Sequence, residues 1–111
     1  MAKVGDEIVI IEMTGEPQYT NKCGQVEHID DIGQLHGTWG GCALIEGEDN
    51  FIVIEEELQY LEMLRKSGAT NMLGAGEYIQ RYFGYDKNLA RAILGYWMKE
   101  YLRLAKKYGW R

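Results

Sequence analysis

The chain of 111 residues has few of the residue types that build catalytic or metal centres, with two cysteines, two histidines and one serine. Cys23 and Cys42 match no zinc spacing, because a structural zinc site normally needs four ligands. Ser67 precedes a helix-ending glycine and lacks the strand–turn–helix setting of a nucleophilic serine. The segment 74–76 has glycines but neither the lysine nor the preceding strand of a phosphate-binding loop. We therefore expect no enzyme, no metal site and no cofactor.

Long apolar runs are also missing. No stretch approaches the ~20 apolar residues that a membrane span needs, and residues 1–6 contain no apolar signal region. We expect a cytoplasmic protein without membrane contact. Thiols stay reduced in the cytosol, although neighbouring strands of a small sheet would also allow a disulfide between Cys23 and Cys42.

Charge divides the chain into two halves. Residues 1–57 carry thirteen acids and two bases (net −11), whereas residues 58–111 carry four acids and ten bases (net +6). The hydrophobic pattern changes at the same boundary, which indicates two modules with different surfaces.

The first half consists of short apolar runs separated by glycines and acidic turns. The runs cover residues 8–11, 25–29, 34–39, 42–45 and 51–54. Alternation in the third run places Leu35 and Trp39 on one face. Short strands with regular turns predict a five-stranded antiparallel barrel over residues 1–57.

Residues 5–54 resemble a family of small SH3-like barrels of unknown function that phages and bacterial mobile elements carry. The matching positions are Gly5-Asp6, Met13, Tyr19-Thr20, Gly24, Val26, Ile29-Asp30-Asp31, Gly33-Gln34, His36, Trp39, Leu44-Ile45, Gly47, Asp49 and Phe51. Cys23 stands where the family usually has proline. Gly37-Thr38 replaces a more strand-like pair. Both departures are expected to loosen the barrel or to leave room for something beside Trp39. The resemblance implies an SH3-like fold, a phage-like origin and a bacterial host, but no reaction.

The second half predicts three helices. Acids in the first turn and bases in the last favour a helix from Glu55 to Ser67. A second helix starts at a Thr70 cap, or more simply near Ala75. Its pattern of Met72, Ile79, Tyr82 and Phe83 recurs at helical spacing.

A third helix is predicted over about residues 87–108, capped by Asp86. Its apolar stripe is Ala90, Ile93, Leu94, Trp97, Tyr101, Leu104 and Tyr108. The fold class is therefore α+β, with the basic helical segment 58–111 packed on the barrel or on a second subunit. Residues 67–98 are similar to a short helical module of small phage proteins, through the run 70–72 and Trp97-Met98.

Three sets of side chains are candidates for binding. An acidic set on the barrel, able to meet a basic protein surface, is Asp30, Asp31, Glu46, Glu48 and Asp49. A set of aromatics for stacking a nucleotide beside Arg81 and Arg91, or for a homodimer interface, is Trp39, Tyr78, Tyr85, Tyr96 and Trp110. A basic set for nucleic acid is Arg91, Lys99, Arg103 and Lys106.

A metal or acid–base role for His28, Asp30, Asp31 and His36 is less favoured, because Asp30-Asp31 also suits a turn. We expect a non-enzymatic accessory protein of a phage or mobile element. It would antagonise a host defence system by masking a protein surface or sequestering a nucleotide. The alternative is a nucleic-acid-binding regulator that uses the basic helices. The acidic first half argues against this alternative, because it would repel phosphate.

Overall fold

A computed structural model describes residues 2–111 and shows an α+β fold. The chain divides into two compact units, a sheet unit (Met1–Glu55) and a helical unit (Glu56–Arg111). Over residues 2–111 the strands are β1 (Glu7–Glu12), β2 (Cys23–Ile29), β3 (Leu35–Gly37), β4 (Gly40–Leu44) and β5 (Asn50–Val53). The α-helices in the same range are α1 (Glu55–Ser67), α2 (Ala75–Phe83), α3 (Lys87–Lys99) and α4 (Tyr101–Tyr108). No helix in the described part of the chain is long and apolar enough to cross a membrane.

The five strands form one antiparallel sheet in the order β4-β3-β2-β1-β5. The antiparallel strands predicted from the alternating apolar runs are thus confirmed. Among the pairings of the described residues the sheet is open, with β4 and β5 at its edges. Closure into an SH3-like barrel stays a prediction.

The sheet unit contains a hydrophobic core cluster. Its buried members are Ala2, Ile8, Ile10, Met13, Val26, Leu35, Trp39 and Leu44. Leu35 and Trp39 both belong to this core, but the predicted strand over residues 34–39 is shorter in the structure, because Trp39 lies in the turn between β3 and β4. The indole Nε1 of Trp39 donates to the carbonyl of Cys42 at 2.8 Å, so the ring is held by a hydrogen bond as well as by packing.

The predicted space beside Trp39 is filled by the tryptophan itself. A Cβ placed on Gly37 would lie 2.3 Å from Cζ3 of the Trp39 ring and 2.2 Å from the carbonyl oxygen of Gln25. Gly37 is therefore required by close packing, and the idea that it leaves room for a ligand is wrong. Cys23 and Cys42 are not joined by a disulfide, and burial raises the pKa of the Cys23 thiol to about 12.

Local signals predict most of the helix ends. Asp86 caps α3 through a 2.8 Å hydrogen bond from the Leu89 N–H. The start of α2 at Ala75 follows the simpler of the two predicted starts. The apolar stripe is also confirmed over its first part, because Ala90, Ile93, Leu94 and Trp97 are buried.

The single third helix predicted over 87–108 is wrong. The structure has two helices in this stretch, α3 and α4, separated at Glu100 (φ −101°, ψ 14°). No proline or glycine marks the break. The break is accompanied by a tertiary contact, because the Tyr101 hydroxyl donates to Glu62 on α1 at 3.2 Å. A sequence pattern does not reveal such a contact.

Candidate functional site

The helical unit contains a cleft along α2 and α3. It consists of two adjoining hollows of about 430 and 260 Å³ that share Glu77, Gln80 and Lys87 as lining residues. The complete lining adds Arg81 in the first hollow and Leu73, Gly74, Gly76, Arg91 and Leu94 in the second. We call this the α2–α3 cleft. Its combined size is in the range of small-ligand pockets, roughly 300–1,000 Å³.

The turn between the two helices creates the cleft. Gly84 ends α2 in the left-handed conformation (φ 76°), and its N–H bonds to the carbonyl of Gln80 at 2.9 Å. Asp86 then caps α3, so only residues 84–86 separate the helices. Lys87 and Arg91 are one helical turn apart and lie on the same side of α3. The short connection therefore brings both cations to Gln80 on α2.

The cleft is cationic. Arg81 lies 3.6 Å from the Glu77 carboxylate, but their side chains are 78% and 74% exposed, so this pair is weak. Within residues 2–111, neither Lys87 nor Arg91 forms an ion pair. Three cations therefore face a single carboxylate, and an added anion would not have to displace an internal partner of Lys87 or Arg91.

An apolar edge borders the second hollow. Leu73 is 85% exposed, and Leu94 is nearly buried at its base. Gly76 lies against the Leu94 side chain, since a Cβ on this glycine would be 4.0 Å from Cδ2 of Leu94. The cleft thus combines an apolar surface with cations and one amide, as ligands with a flat ring and a negative charge require.

The acidic residues predicted to bind a partner separate into two kinds. Asp30 holds the β2–β3 turn, because its carboxylate accepts from the N–H groups of Ile32 (3.1 Å) and Gln34 (2.9 Å) and lies 2.9 Å from Nε2 of His36. The hydrogen bond with His36, followed by that of Gln34, lowers the pKa of Asp30. Of the other four carboxylates in the predicted set, three are exposed: Asp31, Glu46 and Glu48.

Asp49 is the second carboxylate that holds backbone N–H groups. We predict that its removal lowers stability much more than removal of the neighbouring Glu48 carboxylate. It accepts from the N–H groups of Thr14 (2.9 Å) and Ile45 (2.8 Å). We expect Asp49→Ala to destabilise the sheet unit by about 1–3 kcal/mol, because two N–H groups lose their acceptor. Glu48→Ala should change stability by less than about 0.5 kcal/mol. Urea unfolding of both variants checks this, and equal midpoints would contradict it.

The five predicted aromatics are all engaged inside their own unit. Trp39 belongs to the sheet core. In the helical unit, Tyr78 donates to the Ala69 carbonyl, Tyr85 donates to Glu57, Tyr96 accepts from Arg103, and the Trp110 indole donates to Gln59 at 2.7 Å. None of these side chains is fully exposed.

Tyr82 is an exposed aromatic residue that is not among the predicted binding residues. Its side chain is 70% exposed, although the helical pattern groups it with Ile79 and Phe83. Ile79 and Phe83 are four positions apart and lie on the same side of α2, whereas the Tyr82 Cα is displaced from that of Phe83 by about 100° around the helix axis. Centring the helical wheel on Ile79 would have identified it.

The four bases predicted for nucleic acid lie on two helices. Arg91 lines the α2–α3 cleft, while Lys99 ends α3 and Lys106 lies in the last turn of α4. Arg103 bonds to Glu100 at 2.7 Å and to the Tyr96 hydroxyl at 2.9 Å. The break at Glu100 therefore interrupts the continuous basic helix on which this alternative was based.

Within the described residues, no group of three or more His, Cys, Asp or Glu side chains is placed to hold a metal ion. His28 and His36 lie close together, with ring centroids 5.7 Å apart. Comparisons with protein-family models, curated proteins and solved structures find no match for the chain.

Proposed function

We propose that this protein acts by binding, as an accessory protein of a phage or mobile element, and that its α2–α3 cleft sequesters a nucleotide. Removal of a nucleotide signal would antagonise a host defence system that depends on it. The observation that carries the proposal is the presence of Lys87 and Arg91, which form no ion pair among residues 2–111, on a cleft that also contains Gln80 and an apolar edge.

Each part of a nucleotide has a suitable group in the cleft. Lys87 and Arg91 would bind phosphate oxygens through charge-assisted hydrogen bonds. Leu73 and Leu94 offer an apolar surface to the base, and the Gln80 amide can donate or accept. The Glu77 carboxylate is an acceptor for ribose hydroxyls or for an exocyclic amino group. The surrounding half of the chain has a net charge of +6, which favours approach of an anion.

Calorimetric titration with ATP, AMP and adenosine tests the proposal. We expect affinity to fall in that order, because each lost phosphate removes charge-assisted contacts. Lys87→Ala and Arg91→Ala should each weaken ATP binding about tenfold, in line with hydrogen bonds to charged groups. Lys99→Ala is the matched control: it removes the same charge from the same helix outside the cleft lining.

Two results would overturn the proposal. The first is equal weakening by Lys99→Ala and Lys87→Ala, which would mean that the general positive field binds the phosphates. The second is tighter binding of a DNA duplex than of ATP, with an affinity that falls steeply with salt and depends on Lys99 and Lys106. That second result would favour the nucleic-acid alternative.

Masking of a protein surface by the sheet unit is the second candidate function. Leu35 of β3 pairs with Leu44 of β4, so the turn before β3 and the turn after β4 leave the same end of the sheet. Asp31 and Glu46, in these two turns, are both exposed. Tests of masking should reverse Asp31, Glu46 and Glu48, and leave Asp30 and Asp49 intact because these two hold backbone N–H groups.

A further inference from the structure

Four aromatic rings of the helical unit form a continuous cluster that we call the aromatic ladder: Tyr82, Tyr60, Phe83 and Tyr85. Tyr82 is stacked on Tyr60, with centroids 4.7 Å apart and an interplanar angle of 13°. Phe83 contacts Tyr60 and Tyr82 edge-on, at centroid distances of 5.6 and 5.0 Å respectively. Tyr85 stacks on Phe83 with centroids 5.5 Å apart. These are favourable aromatic geometries, so the rings support one another.

The inner end of the ladder is fixed. The Tyr85 hydroxyl donates to Glu57, a carboxylate that is only 4% exposed. Burial, followed by the hydrogen bond to Glu57 and the charges of Glu57 and Glu56, raises the pKa of Tyr85 above its usual range. The hydroxyl therefore stays protonated and keeps donating. A ladder held in this way is preorganised, which lowers the entropy cost of binding.

The outer end of the ladder is open. Tyr60 covers one face of the Tyr82 ring, yet Tyr82 remains 70% exposed, so its other face meets solvent. On α1, Met63 lies one turn beyond Tyr60 and is 50% exposed. Glu56 lies one turn before Tyr60 on the same side of the helix and is also exposed. The result is an aromatic and methionine surface with a carboxylate at one end.

We propose that this surface docks an arginine side chain of a basic protein segment. The guanidinium would stack on the open face of Tyr82 and pair with the Glu56 carboxylate, a combination that arginine suits better than lysine because its head group is planar. Tyrosine and methionine are also enriched at protein interfaces. Within residues 2–111, Glu56 forms no ion pair, so its carboxylate is available to a partner's guanidinium.

A site-resolved titration tests the docking surface. The probe is a blocked peptide of four arginines separated by glycines, followed by amide chemical shifts of the whole ¹⁵N-labelled protein. We expect shifts at Tyr60, Tyr82 and Phe83, with an affinity at these amides that Tyr82→Ala lowers about three- to tenfold. Tyr82→Phe should retain binding because the ring face makes the contact, and Glu56→Gln should weaken it. Leu102→Ala, at another exposed apolar side chain (84% exposed), is the control.

Other outcomes would overturn the proposal. Shifts confined to the acidic turns of the sheet unit would mean only general charge attraction, and an unchanged affinity of Tyr82→Ala at the ladder amides would exclude the ring. A dimer by light scattering that Tyr82→Ala converts to a monomer would assign the surface to a second copy of the chain. Lys87→Ala and Arg91→Ala should leave peptide binding intact, so this inference stands or fails separately from nucleotide binding.

Discussion

Replacing Gly37 with alanine is expected to destabilise the sheet unit by about 3 kcal/mol or more, as overpacking of a core does at its upper end. The added methyl would lie 2.2 Å from the Gln25 carbonyl oxygen and 2.3 Å from the Trp39 ring. The first obstacle is backbone in the adjacent strand β2. The second is a ring that is 3% exposed and bonded through its Nε1 to Cys42. Neither can move without breaking other contacts.

Gly41→Ala is the matched control, because Gly41 lies in the neighbouring strand β4 and a Cβ there meets nothing within 4 Å. Its effect should be within about 0.5 kcal/mol. Guanidinium unfolding followed by tryptophan fluorescence gives the stabilities, and amide exchange in β2 and β3 assigns the loss to the sheet. Equal stabilities of the two variants would show that the space beside Trp39 is open after all.

Glu62→Gln is expected to destabilise the helical unit by about 2 kcal/mol at neutral pH, the scale of lost hydrogen bonds to a charged group. The Glu62 side chain is 5% exposed. Its carboxylate accepts from Arg65 at 2.7 and 3.1 Å and from the Tyr101 hydroxyl at 3.2 Å. The neutral amide keeps the shape but removes the charge that compensates Arg65.

The effect of Glu62→Gln should depend on pH. Burial by itself would raise the pKa of Glu62, but the hydrogen bonds from Arg65 and Tyr101 outweigh burial and lower it below the usual 4.5. Because the pKa is lower in the folded state, ionised Glu62 stabilises the fold above pH 4.5, and this contribution is lost as the pH falls through the folded value. The difference between wild type and Glu62→Gln should therefore shrink below pH 4.5.

A control for Glu62 is available in α2. Glu77 also pairs with an arginine on its own helix, but both side chains are largely exposed. Glu77→Gln should change stability by less than about 0.5 kcal/mol at any pH, since exposed pairs contribute little. Thermal unfolding of both variants between pH 3 and 7 makes the comparison, and a pH-independent loss in Glu62→Gln would contradict the assigned role of its charge.

Features that depend on contiguous residues could be read from the sequence alone. Period-two alternation predicted the strand that contains Leu35, because neighbouring side chains of a strand point to opposite faces. The charge order of residues 55–67 predicted α1, and Asp86 predicted the start of α3, because dipole and cap interactions act within one helical turn. The acidic and basic halves were likewise visible without coordinates.

Only the tertiary structure decided features that join distant residues. The tight fit of Gly37 depends on where the Trp39 ring lies against β2, and the break at Glu100 coincides with a contact from Tyr101 to Glu62, 39 positions away. The cations of the α2–α3 cleft become one site only when α3 folds back beside Gln80. The sequence pointed to Arg81 and Arg91 for a nucleotide but to neither Lys87 nor Gln80, because binding chemistry depends on which helix faces meet, and packing between elements sets those faces.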